Sequence, residues 1–91
     1  MADYRLSLAA KEDLLRIHAY GVKVYGTARA DQYLATLFEH FELIAAFPYS
    51  FQAVDQIRIG YRRCVCGSES IYYRIRNNKV EIMAILGRQQ P

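Results

Sequence analysis

No stretch of this chain comes near the ~18 consecutive apolar residues that a membrane-spanning helix requires. The best one, residues 41–48, contains Glu42. The opening Met1-Ala2-Asp3-Tyr4-Arg5 lacks the basic-then-apolar order of a secretory signal, so a soluble, cytoplasmic protein is expected. Cysteine is scarce, with only Cys64 and Cys66 present. On a strand their Cα atoms stand roughly 6.5–7 Å apart, at or past disulfide reach, so free thiols are expected. His18 and His40 show no paired-ligand spacing, and no metal site is expected. The Gly-rich phosphate loop, the nucleophile elbow and the metalloprotease helix are all missing, as are repeats, low-complexity tracts and linkers. No cofactor is expected either. At 91 residues and 10.5 kDa, one core must do everything, and residues 1–91 are read as a single domain.

What is present is a foldable composition, 53% hydrophobic and 23% charged, with an uneven distribution of charge. Residues 1–56 carry Arg5, Lys11, Arg16, Lys23 and Arg29 against Asp3, Glu12, Asp13, Asp31, Glu39, Glu42 and Asp55, a net of −2. Residues 57–91 carry Arg58, Arg62, Arg63, Arg74, Arg76, Lys79 and Arg88 against Glu69 and Glu81, a net of +5. Six of those seven cations are arginine, whose planar fork suits carboxylate or phosphate, and an acidic partner is implied.

The patterning predicts a short strand at Tyr4-Arg5-Leu6 running into a helix capped by Ser7, with Glu12 and Asp13 near the positive end of its dipole. Leu14, Ile17, Gly21 and Val24 form its apolar stripe as far as Gly26. A glycine at position 21, inside the helix, points to close approach of a neighbour. Thr27 is read as the N-cap of a second helix of about twenty residues, whose stripe Ala30, Tyr33, Leu34, Leu37, Phe41 and Ile44 ends before Pro48. With so short a connection, the two helices must fold into an antiparallel hairpin. Phe38 and Tyr20 fall off the stripes, as surface aromatics or as part of a partner-facing surface.

Residues 48–60 read as loop. Strand patterns at 61–66, 70–76 and 79–86 follow, separated by Gly67-Ser68 and Asn77-Asn78, which is turn chemistry for a meander. The expected class is α+β, β-α-α-β-β-β, with an N-terminal strand and a helix hairpin on a small antiparallel sheet. Ile71, Tyr73 and Ile75 are assigned to the face under the helices. Arg62, Cys64, Cys66, Tyr72, Arg74 and Arg76 are assigned to the polar face, where Arg62 and Arg74 are expected to grip one anion beside Tyr72. Val80, Ile82, Ala84 and Leu86 against Met83 and Ile85 make the last strand apolar on both faces, as in a central or partner-covered strand. No His follows position 40, and Glu81 and Lys79 are weak candidates for a base, so no catalytic residue is assigned.

The element order, the opening Tyr4-Arg5-Leu6-Ser7-Leu8-Ala9-Ala10 with Asp13-Leu14 and Ile17, and the run Ile57-Arg58-Ile59-Gly60-Tyr61-Arg62-Arg63-Cys64 resemble the ParE family of bacterial toxins. Gly67-Ser68, Ile71-Tyr72-Tyr73-Arg74, Glu81-Ile82 and Ile85-Leu86 continue the resemblance over nearly the whole chain. It implies the toxin of a type II toxin–antitoxin pair in the RelE/ParE superfamily. Such a toxin poisons DNA gyrase by binding and is silenced by an antitoxin whose acidic, amphipathic C-terminal segment wraps around it. On this resemblance Arg58, Arg62, Arg63, Tyr72, Arg74, Arg76 and Arg88 become the candidate antitoxin- or target-binding residues, and no sequence-specific nucleic-acid binding is expected.

Two departures stand out. Gly87 occupies a position where family members often carry His before a basic, Met-containing tail, and here Arg88-Gln89-Gln90-Pro91 follows. That tail is implicated in poisoning gyrase, so the change bears on target and potency. Leu8 stands where Pro is usual. The alternatives are a RelE-like ribosome-dependent mRNA endonuclease, using Arg62, Arg74, Tyr72 and Glu81, or an antitoxin-binding module that has lost toxicity.

Overall fold

Ser7 is where the chain turns from extended to helical, and three bonds from this residue make the change. In the computed structural model, which describes residues 3–87, its Oγ accepts the Ala10 N–H at 3.0 Å and donates to the Met83 carbonyl at 2.9 Å. Its own N–H donates to the Ile82 carbonyl at 3.0 Å. The cap therefore ends strand β1 (Tyr4–Leu6), opens helix α1 (Leu8–Tyr25) and ties both to the last strand.

The helix hairpin forms as expected, with a correction at its corner. Gly26, at φ +91° and ψ 165°, donates to the Val22 carbonyl and accepts from Ala30, so it caps both α1 and helix α2 (Thr27–Ala46), while Thr27 is already helical. Only glycine adopts that backbone conformation cheaply. A Cβ on Gly21 would stand 3.2 Å from the Ala30 Cβ, the close helix approach its position implied.

Neither Glu12 nor Asp13 serves the helix dipole, because both lie past the first turn. Asp13 instead accepts the Ile85 N–H at 2.9 Å, and Arg16 donates to the Ile85 carbonyl and to Asp13, each at 3.2 Å. This pair covers the edge of the last strand where β1 has already ended.

The sheet runs β1-β5-β4-β3-β2, with β3 (Tyr61–Cys66), β4 (Glu69–Arg76) and β5 (Lys79–Gly87) as the expected meander. Two details were not visible in the pattern. β1 lies parallel to β5, which makes the sheet mixed, and a two-residue strand β2 (Gln52–Ala53), too short for any periodicity, pairs with β3 inside the presumed loop. Asn77 and Asn78, at φ +52° and +62°, make the tight turn between β4 and β5. Between Tyr72↔Ala84 and Tyr73↔Ile82, Met83 is an extra residue. That bulge breaks the alternation and lets Ile82 and Ile85, three apart, both reach the core.

The core gathers Leu14 and Ile17 from α1, Leu37, Phe41 and Ile44 from α2, and Ile71, Tyr73, Ile82 and Ile85 from the sheet. Cys64 and Cys66 belong there too, each 3% exposed, which corrects their assignment to the polar face. The register explains it: Cys64 lies opposite Ile71 and Arg62 opposite Tyr73, so this whole set points inward. Burial pushes the Cys64 thiol up to about 11, with the neighbouring Cys66 adding to the effect. Among the described residues no helix is long and apolar enough to cross a membrane.

Gly67, at φ +57°, sits under the Tyr33 ring, whose hydroxyl donates to the Cys66 carbonyl and also bonds Glu69. A Cβ there would stand 2.8 Å from the Tyr33 Cε1 and 2.8 Å from its hydroxyl oxygen. Gly67→Ala is expected to destabilise the fold by about 1–3 kcal/mol through backbone strain and overpacking, read as a lower urea midpoint at unchanged slope.

Candidate functional site

The register lays one row of polar side chains across four strands on the face away from the helices: Arg5, Glu81, Arg74 and Tyr61. Arg74 Nε donates to Glu81 Oε1 at 2.7 Å, and Arg5 Nη1 approaches Oε2 at 3.9 Å. The hydrogen bond from Arg74, followed by the charges of Arg74, Arg76 and Arg5, holds the Glu81 carboxyl below its ordinary value despite partial desolvation. Next to this row Arg63 lies opposite Tyr72 and donates from Nη2 to Gln52 Oε1 at 3.0 Å. Its Nε is buried without a hydrogen-bond partner. Arg76 is exposed at the Asn77-Asn78 end, opposite Lys79.

Four of the candidate binding residues, Arg63, Tyr72, Arg74 and Arg76, therefore share one surface. Arg62 does not join them. Arg62 projects on the opposite face of the sheet, where Nη1 donates to the Phe51 carbonyl at 2.8 Å and its guanidinium lies 5.2 Å from the Tyr49 ring centre. The expected Arg62–Arg74 clamp on one anion is ruled out by this geometry, because adjacent residues on a strand point to opposite sides. Along β3 it is Arg63, not Arg62, that faces away from the helices. Arg58 lies in the segment before β3, its guanidinium 5.5 Å from the Tyr61 ring centre. Arg88 falls outside the described residues.

A second feature, which the sequence pattern disclosed only through Phe38, lies on the helical side. Leu6, Leu14, Leu15, Leu34 and Phe38 line a groove of about 370 Å³, with Lys11 and His18 beside them. Leu15 is 74% exposed there, and Phe38 packs edge-on against Phe41 at 5.3 Å. Tyr20 is exposed and takes no part in it. Its neighbour His18 bonds Asp31 on α2 at 2.7 Å.

These surfaces are equipped to bind, and comparison with known proteins says in what context. Residues 4–91 match the family model of the ParE toxin of the type II toxin–antitoxin system parDE. The toxin ParE1 of Caulobacter vibrioides is 40% identical over 86 residues, covering 94% of this chain and 88% of that one. The chain belongs to the ParE toxin family. A ParE1 of Mycobacterium tuberculosis is 38% identical over 72 residues, covering 79% of this chain and 74% of its own. A solved structure from the chromosomal ParDE system of P. aeruginosa shares the fold, with a TM-score of 0.84 over 96% of both chains at 17% identity. As a ParE toxin, the chain is the toxin component of a type II toxin–antitoxin system.

The ion pair across β4 and β5 gives this ParE chain a testable pH signature. Glu81, depressed in the fold, contributes stability that is full above its unfolded value and is lost as pH falls through its folded value. In Arg74→Ala the Glu81 titration, followed by NMR, is expected to move up toward the ordinary carboxylate range, and the acid-side loss of stability to become smaller and to be complete at higher pH. An unmoved titration contradicts the assignment.

Proposed function

We propose that this ParE toxin acts in the cytoplasm as one domain, residues 1–91, and arrests growth by binding DNA gyrase without breaking bonds of its own. A cognate antitoxin holds it inactive by laying an amphipathic, acidic segment along the groove at Leu15 and Phe38 and meeting Lys11 on the rim. The arginine surface at Arg63, Arg74 and Arg76 offers charge-assisted hydrogen bonds to the partners.

The observation that carries the non-catalytic reading is the state of Glu81. It is the one carboxylate that the described strands place on the arginine face, and Arg74 and Arg5 keep it ionised. A carboxylate so held is a poor proton donor near neutrality. The histidines lie on the helices, His18 bonded to Asp31 and His40 donating to the Thr36 carbonyl at 2.8 Å. The four residues that an mRNA endonuclease would need, Arg62, Arg74, Tyr72 and Glu81, do not converge, because Arg62 is on the other face.

The purified chain, freed of antitoxin, is expected to inhibit gyrase supercoiling, and stoichiometric antitoxin to restore it. Leu15→Asp, at an exposed position, is expected to weaken antitoxin binding by about tenfold or more while leaving the fold intact. Undisturbed supercoiling together with ribosome-dependent mRNA cleavage contradicts the proposal. A chain that affects neither supercoiling, translation nor growth is an antitoxin-binding module without toxicity.

A further inference from the structure

Residues 54–61 form a turn that five hydrogen bonds from its backbone N–H groups hold and whose isoleucine side chains nevertheless stand in water. Val54, fully buried, donates to the Tyr61 carbonyl at 2.8 Å, and its own carbonyl accepts the N–H groups of Ile57 at 2.8 Å and Arg58 at 3.1 Å. The Arg58 carbonyl accepts the Tyr61 N–H at 3.0 Å, and Asp55 Oδ1 accepts the Gly60 N–H at 2.8 Å. Gly60, at φ +84°, makes the reversal. On this base Ile57 is 56% and Ile59 88% exposed, with Arg58 between them. Two isoleucines two positions apart, held in water by an ordered backbone, are apolar surface the isolated chain leaves unused. Such a turn loses little freedom on binding.

Charge tells what kind of partner fits. The Arg58 guanidinium lies against Tyr61 and the Arg62 guanidinium against Tyr49, and among the described residues neither is in a salt bridge. The turn's one carboxylate, Asp55, is occupied by the Gly60 N–H. Two apolar tips with Arg58 between them, which forms no salt bridge among the described residues, complement an apolar socket with a carboxylate on its rim. The isoleucine tips have no π face on which a base can stack, which favours a protein partner over a nucleic acid.

Position in the fold separates this turn from the helical groove. The groove takes Leu6 from β1, and the turn joins β2 to β3, so they lie at opposite edges of the sheet. We propose that the Ile57-Arg58-Ile59 turn is the surface that docks on the protein this toxin attacks, seating Ile59 in an acid-rimmed apolar socket. The inference rests on the toxin reading above and assigns the target contact to residues other than those that hold the antitoxin.

The test compares wild type, Ile59→Asp and Ile59→Leu, each produced with antitoxin and then freed of it. Three quantities are read: growth arrest on induction, the concentration that half-inhibits gyrase supercoiling, and affinity for the antitoxin. Ile59→Asp is expected to abolish arrest and raise the half-inhibitory concentration by about tenfold or more, with antitoxin affinity within about twofold of wild type. Ile59→Leu is expected to stay active. Full potency of Ile59→Asp overturns the proposal, and so does an equal loss of antitoxin affinity. A wild type that shifts DNA without gyrase, and loses this with Arg58→Glu but not with Ile59→Asp, also overturns it in favour of a nucleic-acid surface. If wild type arrests growth while supercoiling proceeds, the gyrase reading alone fails and the arrest phenotype of Ile59→Asp decides the turn. If wild type arrests nothing, both fail.

Discussion

The register between β3, β4 and β5 is the constraint from which the two surfaces of this molecule follow. Tyr73 stands opposite Arg62 on one side and Ile82 on the other, and its hydroxyl donates to the Pro48 carbonyl at 2.6 Å. Burial pushes that hydroxyl up to about 12, so it remains a donor throughout the physiological range. Slipping any of these pairings by one residue would turn every side chain of that strand to the opposite face. The buried aromatic ring, its hydrogen bond at the end of α2 and the Met83 bulge together hold the arrangement in which thiols and isoleucines face the helices while Arg63, Arg74 and Arg76 face away.

With the sheet so set, the charge asymmetry of the sequence becomes spatial. The acid-rich N-terminal half is largely the helix hairpin, with an apolar groove in its surface. The arginine-rich half is the sheet, where Arg74 is committed to Glu81 and Arg62 to the carbonyls and ring of the 49–51 segment. Arginines engaged in this way are pre-oriented, and a partner meets an ordered surface instead of long, freely rotating side chains. The helices are fastened to the same frame by Ser7 and by the Asp13–Arg16 pair on Ile85, so groove and arginine face are parts of one rigid piece.

The helix hairpin was legible because Leu14, Ile17, Leu37, Phe41 and Ile44 recur at steps of three and four and only Gly26 interrupts them. The Asn77-Asn78 turn was legible because positive φ at two successive residues has few sequence solutions. The facing of β3 was not. In Arg62-Arg63-Cys64-Val65-Cys66 three consecutive residues are apolar, so alternation does not choose between the two parities, and the partner across the strand decides. The Met83 bulge and the Asp13 contact are equally silent, since both depend on residues about seventy positions away or on a neighbouring strand. Of the candidate residues, Tyr72, Arg74 and Arg76 were legible as one face from the alternation of β4, whereas Arg63 joins that face only through the register of β3. The exposed isoleucines at 57 and 59 passed as ordinary loop, because exposure of an apolar side chain is a property of the fold and not of the pattern.

Thiol accessibility reads the facing of the sheet most directly. Treating the native chain with iodoacetamide at pH 8 and counting adducts by mass spectrometry distinguishes the two parities of β3, since Cys64 and Cys66 are buried in one and exposed in the other. The account predicts no modification of either cysteine until denaturant is added, and modification of both thereafter. Alkylation of both in the native chain at the rate of a free thiol would put Arg62 on the face of Arg74 and contradict the account.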